Sequence, residues 1–220
     1  MDIKKVLKDS WSEYTLKLLP LLITTGPFII ATVVAGVLAE FFITEDSAFF
    51  SFTVTVIILT LQALVTLSGI KFLYKQRETT LEISIEKIAI YLFAALYVGI
   101  VTTLGLVIFI IPGIIIMAVT FLMPIFILKD GQGPIESVAS SAALVKDYLV
   151  QITLLLCGIW LIVGIIEYLA TTALHFTPIP SILANGIAAA LSLVIGLYSL
   201  TLMIAIYSQL SVEPTLAKQT

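Results

Sequence analysis

Glu167 is the only carboxylate set inside an apolar run of this sequence, so chemistry is sought there first. It falls eighteen residues after Leu149, which is about 27 Å along a helix. Turned inward, such a carboxylate is a cation or proton site, because a charge within a membrane is costly. Turned outward at that depth, it is an interfacial residue reaching for water. Gln62 lies deeper in a second apolar run, and Asn185 near the outer end of a third. Each is a candidate contact for a polar ligand. Each equally suits a helix-to-helix hydrogen bond, worth roughly 0.6–2 kcal/mol in a membrane.

Other reactive groups are sparse. His175 is the sole histidine and Cys157 the sole cysteine. One cysteine makes neither an internal disulfide nor a thiolate metal site. No His-Glu-x-x-His and no phosphate-cradling glycine loop occurs. The expectation is a protein without catalytic residues, metal or cofactor, and therefore not an enzyme. A net charge of −3 argues against nucleic acid as a partner.

The elements that carry these residues follow from composition. The chain of 220 residues is 60% hydrophobic and 11% charged, against roughly 25% charged in soluble domains. A water-soluble fold cannot cover itself with so few polar groups, so the bilayer is its solvent. Leu18–Ala39 and Ser47–Ile70 carry no charge. Ile88–Leu128 is a block of 41 uncharged residues, enough for about two crossings of ~20 residues each. The block from Tyr148 to Val212 is divided at Thr177-Pro178-Ile179-Pro180-Ser181, where prolines stop one helix and Ser181 can cap the next.

The spacing predicts a single membrane domain over residues 1–220. Its six transmembrane helices run about 18–39, 49–70, 88–111, 113–128, 149–171 and 182–207. Runs such as Leu106-Val107-Ile108-Phe109-Ile110-Ile111 lack the alternation of barrel strands, which leaves an all-α fold. All eleven basic residues then fall on one side of the membrane, and Glu40, Glu45, Asp46 and Glu167 on the other. The basic side is the cytoplasm, which puts both termini inside. The first apolar run has 22 residues, longer than the ~7–15 of a cleaved signal.

Three segments before the odd-numbered spans have helical spacing of apolar residues, which predicts cytoplasmic interfacial amphipathic helices. The first carries Ile3, Val6, Leu7, Trp11, Tyr14 and Leu18. The second, Thr79 to Lys87, carries Leu81, Ile85 and Ile88. The third opens at Gly133-Pro134 with Ile135, Val138, Ala142 and Val145 as its stripe. Such a helix ahead of each pair of spans admits two readings: a hairpin unit repeated three times, or the plain layout of any multi-pass protein with short outer turns. Small residues four apart, including Ala31 with Ala35 and Ala95 with Gly99, suit close helix contact.

A structural motif runs through Ile111-Pro112-Gly113-Ile114, Pro124, Gly133-Pro134-Ile135-Glu136-Ser137-Val138, Ser141 and Leu144-Val145-Lys146. From its residues it reads as a hairpin turn at Pro112-Gly113, with Gly113 relieving a costly backbone position. A kink at Pro124 and a helix started by Gly133-Pro134 complete it. The motif resembles a pattern in YciC-type inner-membrane proteins of Gram-negative bacteria. It is similar also to the membrane domain attached to some glycerophosphoryl diester phosphodiesterases. The resemblance implies a multi-pass protein of the cell inner membrane, and the soluble phosphodiesterase domain has no counterpart here. The expected role is binding membrane lipids, another membrane protein or a second copy. The alternative is a small transporter or channel using Glu167, Gln62 and Asn185.

Overall fold

A computed structural model describes residues 1–42, 48–75, 81–175 and 181–217; side chains at 37–51, 75–80, 167, 174–186, 188–189 and 212–220 lie outside that description. The described residues form helices α1 (Ile3–Phe42), α2 (Ala48–Lys75), α3 (Ile85–Ile108), α4 (Ile110–Thr120), α5 (Met123–Asp130), α6 (Pro134–Val145), α7 (Leu149–His175) and α8 (Ser181–Ala217). No strand occurs among them. Six stretches are long and apolar enough to cross a bilayer: Ile3–Gly36, Phe52–Tyr74, Ile85–Ile108, Ile110–Asp130, Pro134–Ala173 and Ala190–Ser211. The described residues are therefore all-α, with six stretches fit to span where six were expected, and the boundaries move.

The largest shift is at the start. Residues 3–18 are not a separate interfacial helix, because α1 continues through Pro20 and Pro27 without ending. The reason lies in its buried face. Val6, Ser10, Leu21, Thr25, Ile29 and Thr32 recur three to four residues apart, or at multiples of that spacing, and are all buried. One stripe thus faces the protein from end to end, packed against α2 and α8. Thr25 and Thr32 return their hydroxyls to the carbonyls of Leu21 and Phe28, at 2.8 and 2.7 Å, so the stripe buries little unsatisfied polarity. Leu7 and Trp11, expected on the apolar face, are exposed.

The second expected interfacial helix is overturned as well. Residues 81–84 have no regular structure, and residues 79 and 80 lie outside the described ones. Ser84 caps α3 by accepting from the Lys87 N–H at 3.2 Å, so the helix starts at the cap. Leu81 is buried ahead of it, while Ile85 is exposed. The third expected helix is present as α6. Pro134 sits in its first turn, and the Glu136 carboxylate accepts from the Gly133 N–H at 3.4 Å. Its buried face differs from the expected one: Ser137, Ser141 and Val145 face inward, and Ile135 is exposed.

The turn in the long uncharged block falls at Phe109, not at Pro112-Gly113. Phe109 alone is extended (φ −150, ψ 122), and its N–H closes on the Gly105 carbonyl. Pro112 and Gly113 lie inside α4, where proline in a first turn needs no N–H partner. Gly113 serves packing instead of conformation. A Cβ there would lie 2.7 Å from the Leu106 backbone nitrogen, and one on Gly105 would lie 3.0 Å from the Gly113 Cα. The one glycine with positive φ among the described residues is Gly131 (φ 65), which ends α5 in the left-handed conformation that glycine adopts freely.

Pro124 does not kink a continuous helix. The fourth span breaks at Phe121–Leu122, and Pro124 lies at the start of α5. Proline lacks the N–H that would bind the Thr120 carbonyl. Ser141, fully buried on α6, mends the break. Its hydroxyl donates to the Val119 carbonyl at 2.5 Å and accepts from the Leu122 N–H at 3.2 Å. A side chain of the neighbouring helix α6 thus serves the broken ladder at Val119 and Leu122. Counting α4 and α5 together, the span covers 21 residues in place of the 16 expected.

The core gathers where α2, α5 and α8 meet. Leu67, Ile70, Leu73, Ile125, Leu128, Leu202 and Ile206 are all but fully buried there. At that end Lys129 donates to the Tyr207 hydroxyl at 2.7 Å. The Tyr207 ring also meets Tyr74 and Phe126, with centroids 6.2 and 5.7 Å away.

Candidate functional site

Two consecutive helices in a bundle usually pack along their length, yet α2 and α3 stand apart over their middle turns. Ala63 on α2, with Ala95 and Gly99 on α3, leaves a cleft of about 480 Å³. A side chain at Gly99 would meet nothing within 4 Å. The Ala95–Gly99 pair therefore makes room and does not bring helices together, contrary to its sequence reading. The true close approaches are Gly105 to Gly113, and Gly69 to Leu200.

The cleft wall is apolar, with Leu59, Leu96, Ile100 and Leu104 among its residues, and Gln62, Tyr91 and Thr103 supply its polar groups. Gln62 is exposed. Its backbone carbonyl accepts from the Thr66 hydroxyl one turn on, at 3.1 Å. Across the seam, the Tyr91 hydroxyl sits near enough to that of Thr66 for the two to interact. A second cavity of about 250 Å³ lies between α2, α3 and α8, bounded by Val65, Thr66, Ser192 and Gly196. Gln62 and Tyr91 line both spaces, and so form the partition between them. An apolar cleft with a few placed polar groups is the usual form of a small-molecule site.

Of the three polar contacts read from the sequence, Gln62 reaches this cleft. Glu167 and Asn185 belong to α7 and α8 by backbone, but their side chains lie outside the described residues. His175 and its surroundings do too. Among the described residues, no three His, Cys, Asp or Glu side chains gather as metal ligands. Cys157 is a free thiol on α7.

Sequence reasoning missed Tyr91 and Thr66. The available clue was spacing: Lys87, Tyr91, Ala95, Gly99 and Thr103 fall four apart on one face of a helix, with Tyr91 and Thr103 as its hydroxyls. Two Ser-x-x-Lys spacings were also passed over, and both are structural. Ser84 caps α3. Ser68 returns its hydroxyl to the carbonyls of Leu64 and Val65, which leaves no nucleophile poised by the lysine. Lys87 reaches away from Ser84, donating to the Leu128 carbonyl at the end of α5, at 2.8 Å.

No known protein family, curated protein or solved structure matches this chain.

Proposed function

We propose that the chain is a non-enzymatic, multi-pass protein of the cell inner membrane that holds a lipid or similar amphiphile between α2 and α3. The observation that carries this reading is the cleft itself: an apolar trough in the middle of two spans, with Gln62 and Tyr91 at its polar partition. Acyl chains suit walls of Leu59, Ile100 and Leu104. The amide of Gln62 and the phenol of Tyr91 suit an ester, hydroxyl or amide group at the head of the chain. The serines of both Ser-x-x-Lys spacings are spent on backbone hydrogen bonds, which favours holding over turnover. The lysine distribution favours a cytoplasmic end at Lys71, Lys87 and Lys129, with both termini on that side. The resemblance to YciC-type proteins agrees with this placement and adds no substrate.

A photoreactive phospholipid carrying a diazirine in its acyl chain tests the reading. Irradiation of the protein in nanodiscs should give adducts concentrated on peptides from α2 and α3, reduced by Gly99→Leu. Adducts spread evenly over all lipid-facing helices, and unchanged by that substitution, would show that the cleft holds nothing specifically.

A further inference from the structure

The α3–α4 turn is made as no water-facing turn is made. The sixteen residues from Leu104 to Val119 contain no polar side chain. Val107, Ile108, Phe109, Ile110 and Ile111 at its apex are 65–79% exposed, uncovered by any other described part of the protein. By contrast, the link from α1 to α2 reads Ile43-Thr44-Glu45-Asp46-Ser47, a composition suited to water. The apex backbone also asks little of water. The turn is one residue long, the Phe109 N–H is bound to Gly105 at 2.9 Å, and Pro112 brings no donor.

Its height can be bounded from the other end. Lys87 donates to the Leu128 carbonyl and Lys129 to Tyr207, so two lysines fix the foot of the hairpin at one level. Lysines of this kind settle among headgroups. From Leu128 to Ile110 there are eighteen steps along α5 and α4, which rise at most about 27 Å if the two were collinear. The break at Phe121–Leu122 shortens the rise. A hydrocarbon layer is about 30 Å thick, with polar headgroups beyond it. The hairpin foot rests at one headgroup layer, and its apex ends before the other.

The geometry points to an intramembrane apex: the tip of the α3–α4 hairpin stays among the acyl chains of the far leaflet and never surfaces into water. Its occupant is lipid hydrocarbon. The apex then differs in kind from the polar sequence that joins α1 to α2, although both lie in one six-helix layout.

The test places single cysteines in a Cys157→Ser background. In intact cells, Glu45→Cys should react with a membrane-impermeant maleimide, and Phe109→Cys should show no labelling from either side. Phe109 is exposed and packs against little, so this substitution leaves the fold in place. A nitroxide attached to Phe109→Cys in detergent and then reconstituted should relax strongly with oxygen and weakly with a water-soluble nickel complex. Labelling of Phe109→Cys from outside, or access by the nickel complex, would place the apex in water. Protection from both oxygen and nickel would place it against protein. Either result overturns the inference.

Discussion

Replacing Ser141 by alanine is the sharpest test of how this fold closes its own broken span. The serine is fully buried and serves two backbone groups at once, the Val119 carbonyl and the Leu122 N–H. Alanine keeps helix α6 and nearly the same volume, so only those two contacts are lost. A buried backbone group left bare costs about 1–3 kcal/mol. Hydrogen bonds within membranes average nearer ~0.6 kcal/mol, which sets a floor for the pair. Ser141→Ala should thus destabilise the protein by roughly 1–4 kcal/mol, between the two bonds at the floor and relaxed desolvation of both groups. The assay is reversible unfolding in mixed micelles of mild detergent and sodium dodecyl sulfate, followed by tryptophan fluorescence. Ser140→Ala, whose hydroxyl makes no such bridge, serves as the control. Equal stability of Ser141→Ala and wild type, within about 0.5 kcal/mol, would refute the bridging role.

Further expectations concern packing and placement. Gly113→Ala should lower the thermal stability in detergent, because its Cβ would collide with Leu106, whereas Gly99→Ala should leave the melting temperature unchanged. Lys129→Met should lower stability modestly by removing the bond to Tyr207, and Tyr207→Phe should give a similar loss in wild type but none in the Lys129→Met background. Cysteines at 45 and 175 should label from outside, and those at 77 and 218 only from inside; outside labelling at 77 would remove the six-span arrangement with cytoplasmic termini.

Much of the fold was legible because a bilayer imposes one requirement, a long uncharged run, and this chain meets it repeatedly. What composition could not give was where helices begin and end. Pro20 looks like a boundary, yet the Val6-to-Thr32 stripe continues past it, and packing on α2 and α8 decides. Leu81, Ile85 and Ile88 have helical spacing, yet the Ser84 cap competes locally and wins. Pro112-Gly113 has the composition of a turn, but the chain turns at Phe109, three residues earlier, where α3 and α4 meet through Gly105 and Gly113. The stripe expected for α6 counts only apolar residues, so it leaves out Ser137 and Ser141. Ser141 is inside because a broken backbone needs it. The site was less legible still. Gln62 stood out as an amide in an apolar run, while the cleft beside it depends on two helices failing to close, which no residue spells out alone.

The central claim is that the α2–α3 cleft holds an amphiphile, and native mass spectrometry of the detergent-solubilised protein measures it directly. Wild type should retain a bound lipid that survives delipidating detergent. Gly99→Leu, whose Cβ meets nothing within 4 Å and whose longer side chain enters a cleft of about 480 Å³, should release that lipid while the protein melts as before. Retention of the same lipid at the same occupancy by Gly99→Leu, or no lipid on either protein, would contradict the account.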